Sequence, residues 1–547
     1  MSPTIVSACE LGRPSDLENT LPNFPLLARL LGFAHRFPST HIAIRDNTSG
    51  ACSSHLQLLN DVLFLRNYLY SLLDEEVRTM LGRQEEVFII LLAPPGYEYT
   101  VGFLAILALG AAIVPISPHV PIHEALYFAE KSTSRALLFH PKYIDLATSM
   151  QKQISSKRFT SAAITSLFNK TLAADSIYIS SSNSLNPSGA GLVIFTSGTT
   201  GPPKAVVLPR EMLSSGTQAL ADHYEISPSD TMLHMMPVHH IAGITVCFVP
   251  FLLAGACVTF EPFNVERVWA NWKTGRFTVF GGVPTMFMRL MRYYEEHIRF
   301  SPDHESYVQG VKGHRFMMSG TSALPRPLRL KWFDLSGGKR ILERYGTSEF
   351  STCILTPLKR NENVPDGSVG AVLPGCDTPG IFLRYHEDVE ATQSAFDEEG
   401  YYKTGDIARR EGPYYFILGR ASIDIIKSGG YKISAFDIER EIISLEDVAE
   451  VSVMGVADEE FGQRVAAVVV LKDLSKTLSI ESLRNSLRAT LSSYKLPTML
   501  YVAQELKKTA SGKVPKKALR AEIFESGRYV KEIQIYWLKS ALMRAKI

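Results

Sequence analysis

Residues 196 to 204 read Thr196, Ser197, Gly198, Thr199, Thr200, Gly201, Pro202, Pro203 and Lys204. Glycines let a backbone approach an anion closely, hydroxyls and amides donate hydrogen bonds to it, and a lysine adds a point charge. The chemistry this stretch encodes is phosphate binding. It is not a Walker loop, which needs Gly directly before Lys and Ser or Thr directly after; Pro203 and Ala205 stand there. A surface turn would account for the glycines and prolines, but not for hydroxyls and a cation crowded together. Other candidates say less alone: the pair His239-His240, Asp406 in a glycine turn, and a Lys-rich stretch around Lys513. In isolation such residues are usually packing groups, turn formers and solvated charge.

The apolar residues 192–195 predict a strand delivering this loop. Residues 87–92 form a short apolar run closed by Pro94-Pro95-Gly96, as expected of a strand covered on both faces. A helix over 97–109 and a strand over 112–116 complete a strand–helix–strand unit of a parallel sheet. The pattern recurs: helix 246–254, strand 257–260, strand 277–280 before a Gly281-Gly282 turn, and helix 284–294. Residues 180–191, rich in Ser, Asn and Gly, predict a loop or linker. From Gly419 the style changes to helix 434–444, strands 448–456 and 464–471, and helix 480–491. The expected fold class is α/β: a large multi-subdomain N-terminal domain with mostly parallel sheets over 1–419, plus a small mobile α+β C-terminal domain over 420–547.

Composition narrows the partners. The chain has 547 residues, 46% hydrophobic, with 57 Lys plus Arg against 55 Asp plus Glu. A disordered polymer would be less apolar, and a dedicated nucleic-acid binder would carry a basic excess. The six cysteines form no C-x-x-C, so neither a zinc ribbon nor a redox dithiol is encoded and buried free thiols are expected. The start of the chain lacks the basic-then-apolar pattern of a secretory signal. The apolar stretches 101–116 and 244–260 fall short of the ~20 residues that span a bilayer, so no transmembrane segment is expected. Oligomeric state is not encoded.

The loop from Thr196 to Lys204 resembles that of the adenylate-forming (AMP-binding) superfamily, which includes acyl-CoA synthetases, aryl-CoA ligases, luciferases and peptide-synthetase adenylation domains. Ala205 replaces a usual Gly. The resemblance implies that Thr196, Ser197, Gly198, Thr199, Thr200, Gly201 and Lys204 hold the phosphates of ATP. Further motifs follow in family order. Pro237-Val238-His239-His240 resembles the proline–histidine motif, placing His240 near the acyl group. The loop with Gly320, Thr321 and Ser322 would lie beside adenine and acyl group. Tyr345-Gly346-Thr347-Ser348-Glu349 resembles the motif in which Tyr345 stacks on adenine, with Gly346 beside it, Ser348 meets the α-phosphate and Glu349 binds Mg²⁺. Asp406 would accept the ribose hydroxyls, and Arg420 would contact the nucleotide just before a hinge at Ser422. Gly429 and Gly430 would face the pantetheine arm of coenzyme A. Lys513, in a Ser-Gly-Lys core, matches the catalytic lysine, acting with Thr196 and Glu349. The implied reaction joins a carboxylic acid to ATP as acyl-adenylate and then to coenzyme A, with the small domain rotating between steps. Between Gly370 and Tyr402 the chain is shorter than the family pattern, so part of a small subdomain is expected to be missing.

Tracts such as Glu343-Arg344-Tyr345-Gly346 and Gly462-Gln463-Arg464-Val465 look most like malonyl-CoA synthetase-type members. Arg289 could pair with a second carboxylate of the acid, or be a solvent-facing helix arginine with Arg292 nearby; short- and medium-chain acids stay open. One alternative is a stand-alone adenylating enzyme loading a carrier protein, although 241–246 lacks the aspartate usual in amino-acid-selecting domains. Another is a catalytically impaired nucleotide-binding relative. Ala545-Lys546-Ile547 resembles a peroxisomal tripeptide, making the expected location cytoplasmic or peroxisomal.

Overall fold

The apolar run becomes the strand Phe88–Leu92, every residue of it buried, in a computed structural model that describes residues 5–6, 18–154, 159–164, 172–196, 202–358, 363–374, 381–509 and 513–536. Among the described residues it lies inside a seven-stranded sheet ordered Arg384–Tyr385, Lys204–Pro209, Ala190–Thr196, Ala112–Pro115, Phe88–Leu92, Ala136–Phe139, Thr160–Ala163. From Ala190–Thr196 to Thr160–Ala163 the pairs are parallel; the two strands before them join antiparallel. The helix Tyr97–Ala108 is buried nearly all round, as a helix packed between sheets must be.

Among the described residues the large domain also holds an eleven-stranded sheet. Its centre is parallel, through Cys257–Phe260, Thr231–His234, Val279–Gly282, Phe316–Ser319 and Ile341–Tyr345. One margin turns antiparallel through Ile354–Leu355, Gly370–Val372, Tyr414–Arg420 and Asp406–Glu411. The expectation of parallel sheets therefore describes the interiors, with antiparallel margins. The smaller C-terminal α+β domain has its own sheet, in which Gly462–Leu471 pairs with Val448–Asp458 and Met499–Ala503. Ile433, Ile438, Val453, Val469 and Leu483 fill its core. Ser434 caps the helix Ala435–Ile442, its side chain accepting from Asp437 N.

Three local expectations are corrected. Residues 180–184 are not loop but part of the strand Tyr178–Ser184, parallel to Thr20–Asn23 and Ile5–Val6. Its hydroxyl-rich end is mostly exposed, so no apolar alternation marked it. The strand Val279–Gly282 runs through both glycines, which pair with Met318 and Ser319; a Cβ at Gly281 would stand 2.8 Å from Cys247 Sγ, so that position is glycine for packing and not for a turn. The helix predicted over 246–254 splits into Ile241–Thr245 and Val249–Leu253, the second restarting with Pro250 in its first turn, where proline fits. Among the described residues, Cys52, Cys247, Cys257 and Cys353 are thiols in no disulfide; Cys9 and Cys376 lie outside the described residues. No described helix is long and apolar enough to cross a membrane.

Candidate active site

Thr196 ends the strand Ala190–Thr196, and the chain returns antiparallel along Lys204–Pro209 with Thr196 opposite Lys204. Between these strands, Ser197, Gly198, Thr199, Thr200 and Gly201 lie outside the described residues. Tyr127 Oη donates to Pro203 O at 2.7 Å and holds the returning limb. The ammonium of Lys204 stands 4.6 Å from the ring centroid of Tyr385. Tyr385 Oη donates to Glu349 Oε1 at 2.8 Å, so Lys204 and Glu349 flank one aromatic side chain. Burial, then the charge of the same carboxylate, raises the pKa of Tyr402.

A second group gathers at the sheet margin. Tyr345 Oη donates to Asp406 Oδ2 at 2.7 Å, and Arg420 Nε to Asp406 Oδ1 at 3.2 Å. Asp406 and Arg420 are cross-strand partners, which sets this pairing. Gly346 is exposed and Ser348 half-buried in the turn before Glu349. Gly320 follows the strand Phe316–Ser319, and Thr321 next to it has φ 72°, a strained setting for a β-branched residue of the kind found at functional sites. Ser322 is exposed beside it.

The third group was only partly legible. His240 is half-buried, with Nδ1 shielded from water and without a hydrogen-bond partner. Burial, then the charges of Lys513, His239 and Arg344, push its pKa down to about 4. The ring is therefore neutral near pH 7, with Lys513 and Arg344 both disfavouring its charged form. Arg344 is 5% exposed, and Nη1 and Nη2 of its guanidinium have no partner. A Cβ at Gly320 would stand 3.0 Å from Arg344 Cγ, so the small-residue loop lies directly on this side chain. Arg289 is placed otherwise: it is exposed on the helix Pro284–Glu296, its guanidinium 5.2 Å from the Phe263 ring centroid. Nothing in that setting brings it to His240.

Lys513 comes from the C-terminal domain. Although the residue is exposed by surface area, burial of its ammonium and the nearby Arg420 lower its pKa, while Asp406, Asp424 and Glu349 oppose the shift. The C-terminal residue therefore faces the Asp406 and Glu349 groups. Its segment is anchored by Lys516, whose buried Nζ meets Asp424 Oδ1 and Glu439 Oε1, each at 2.7 Å. Lys516→Met should leave two buried carboxylates uncompensated and cost about 3–5 kcal/mol of C-terminal domain stability. Urea unfolding followed in that domain checks this; an unchanged midpoint would contradict it. Gly429 and Gly430 form the exposed turn between Ile425–Ser428 and Tyr431–Ser434, with φ of 56° and 84°, values that favour glycine.

Lys204 and Glu349 thus share Tyr385, Tyr345 and Arg420 share Asp406, and Lys513 and Arg344 both act on His240. The description AMP-binding enzyme matches residues 77–379, and AMP-binding enzyme C-terminal domain matches residues 437–513. A CoA ligase of Gibberella moniliformis is 31% identical, covering 88% of this chain and 92% of its own. A malonate–CoA ligase of Arabidopsis thaliana is 32% identical, covering 79% of this chain and 77% of its own. Among solved structures, ATP-bound MatB from Rhodopseudomonas palustris superposes with a TM-score of 0.73 at 24% identity, over 90% of this chain and 98% of that one. The class so defined is the ATP-dependent acid–thiol ligases, which form an acyl-adenylate and pass the acyl group to coenzyme A. The chain belongs to the AMP-binding enzyme family. Its partners are ATP, coenzyme A and a small carboxylic acid.

Proposed function

We propose that the acid is a short dicarboxylate, with malonate the first choice, held between Lys513 and Arg344. The observation that carries this reading is the buried Arg344 guanidinium with two unpartnered nitrogens, acting on the same His240 ring as Lys513. An uncompensated buried cation is costly, and a bound carboxylate would satisfy it with paired hydrogen bonds. The malonate–CoA ligase relative supports the same choice. In this reading one carboxylate of the acid attacks the α-phosphorus of ATP and pyrophosphate leaves. Thr196 to Lys204 hold the departing phosphates, and Lys513 stabilises charge on the reacting oxygens. The thiol of coenzyme A then displaces AMP.

Glu349 is the residue that would hold Mg²⁺. A single buried carboxylate beside a phosphate site suits that ion, which usually takes one or two carboxylates plus substrate phosphates. When bound it would neutralise triphosphate charge. We place the domain boundary at Gly419/Arg420 and the pivot at Ser422. Rotation there would withdraw Lys513 and present Gly429 and Gly430 to the pantetheine arm. Asp406 and Arg420 would bind the ribose side of the nucleotide, with Tyr345 and the Gly320 to Ser322 loop around adenine. For location we propose the cytoplasm or the peroxisome, the second on the strength of the tripeptide 545–547, which lies outside the described residues.

Pyrophosphate exchange across mono- and dicarboxylic acids tests the substrate, with thioester formation on coenzyme A as the second readout. Malonate should give the highest rate. Exchange restricted to monocarboxylates would sink the dicarboxylate reading. Transfer to a carrier protein but not to coenzyme A, or no exchange despite ATP binding, would favour the other two readings of the sequence.

A further inference from the structure

The segment between Gly370 and Tyr402, shorter than its family pattern, places a two-residue strand in an unexpected sheet. Arg384–Tyr385 does not stay with Gly370–Val372. It crosses to the seven-stranded sheet and pairs antiparallel with Lys204–Pro209, Tyr385 opposite Val206 and Arg384 opposite Val207. Leu383 N donates to Val207 O at 2.9 Å and His386 N to Ala205 O at 2.8 Å. Side chains clamp the strand from outside. The Arg384 guanidinium meets the Glu86 carboxylate with both terminal nitrogens. Thr133 Oγ1 and His386 Nε2 are 3.1 Å apart, and Lys131 Nζ donates to Glu387 O at 3.1 Å.

So short a strand needs this support only if its position matters. What it carries is Tyr385, buried, with its ring against Lys204 and its hydroxyl on Glu349. We propose that Tyr385 is a positioning residue of the phosphate site: its ring places the Lys204 ammonium and its hydroxyl orients the Glu349 carboxylate, so one strand fixes the distance between cation and acid. The assignment rests on reading Lys204 as a phosphate ligand and Glu349 as the anchor for Mg²⁺. The ring's negative face attracts the ammonium and limits an otherwise flexible side chain. A carboxylate has about four lone-pair directions, so one held by Tyr385 keeps others free in a fixed orientation.

Binding of a fluorescent ATP analogue by the full chain, with EDTA and then across a Mg²⁺ titration, tests this without turnover. Tyr385→Phe keeps the ring and drops the hydroxyl. It should leave metal-free binding unchanged and raise the Mg²⁺ concentration for half-maximal enhancement, on the order of tenfold for one hydrogen bond to a charged group. Tyr385→Leu removes both features and should also weaken metal-free binding several-fold, as Lys204→Met does. Glu349→Gln should abolish the Mg²⁺ enhancement. If Glu349→Gln acts but Tyr385→Phe titrates like the wild type, the positioning role is wrong while the phosphate-site reading stands. If neither acts, that reading falls and takes the proposal with it. Equal losses in both Tyr385 variants, with equally lowered melting temperatures, would make Tyr385 a packing residue and overturn the proposal.

Discussion

Arg344→Met is expected to remove dicarboxylate activation while leaving monocarboxylate activation and the fold in place. The cation is buried with Nη1 and Nη2 unpartnered, so its favourable use comes only with an anion opposite. Losing a desolvated charge partner costs about 2–5 kcal/mol, which is roughly 30- to several-thousand-fold in kcat/KM for malonate. Methionine fills similar space and leaves no orphan donors, each of which costs on the order of 1–3 kcal/mol when buried. The urea midpoint should therefore hold or rise. Parallel kcat/KM values for malonate and a short monocarboxylate decide the matter; equal falls for both acids would reject a role in recognising the second carboxylate. Arg289→Ala is the companion measurement. Exposed over Phe263, it should alter malonate use far less than Arg344→Met.

The second large effect belongs to Lys513. Lys513→Met should slow pyrophosphate exchange by about 10²- to 10³-fold, the usual cost of removing one donor from developing oxyanion charge. Thioester formation from a chemically prepared acyl-adenylate should stay within a few-fold of the wild type, because the proposed rotation carries Lys513 away before that step. Equal losses in both half-reactions would contradict a role confined to adenylation. The same residue sets a pH limit. Its pKa is lowered, first by burial and then by Arg420; the protonated form is the active one. Exchange should therefore decline as pH rises, with an apparent pKa below that of an ordinary lysine. Lys513→Arg, if active, should lose this alkaline limb, since a guanidinium keeps its proton.

Much of this site was readable because its signals are local. The hydroxyl–glycine–lysine loop, the Tyr345 to Glu349 motif and the Ser-Gly-Lys core each carry their chemistry within a few residues. The fully apolar 88–92 run announced a central strand for the same reason. What stayed hidden depends on register and contact across the chain. Arg344 was visible as a residue, but its unpartnered burial exists only once Gly320 closes over it. Tyr385 was visible too, yet nothing near it indicated pairing with the strand that carries Lys204. The hydroxyl-rich 180–184 segment was misread because its exposed half carries no apolar alternation. For Arg289 the sequence left two settings open, a carboxylate partner and a solvent-facing helix arginine; the structure shows it exposed over Phe263.

The backbone of Arg420 carries a consequence for timing. Its side chain is tied to Asp406 on the large domain, while its amide donates to Asp424 Oδ2, beyond the proposed pivot, at 3.0 Å. A turn about Ser422 must part the amide from Asp424, and the return must restore it. A hydrogen bond to a charged acceptor contributes about 1.5–3 kcal/mol, so under the proposed rotation it would act as a detent, biasing the lid roughly ten- to a hundredfold toward the adenylating pose. Coenzyme A would then meet a receptive arrangement that is a minor fraction of the enzyme. Its apparent affinity would be weakened by that fraction, and acyl-adenylate formation would be favoured before thiol capture without any separate gate.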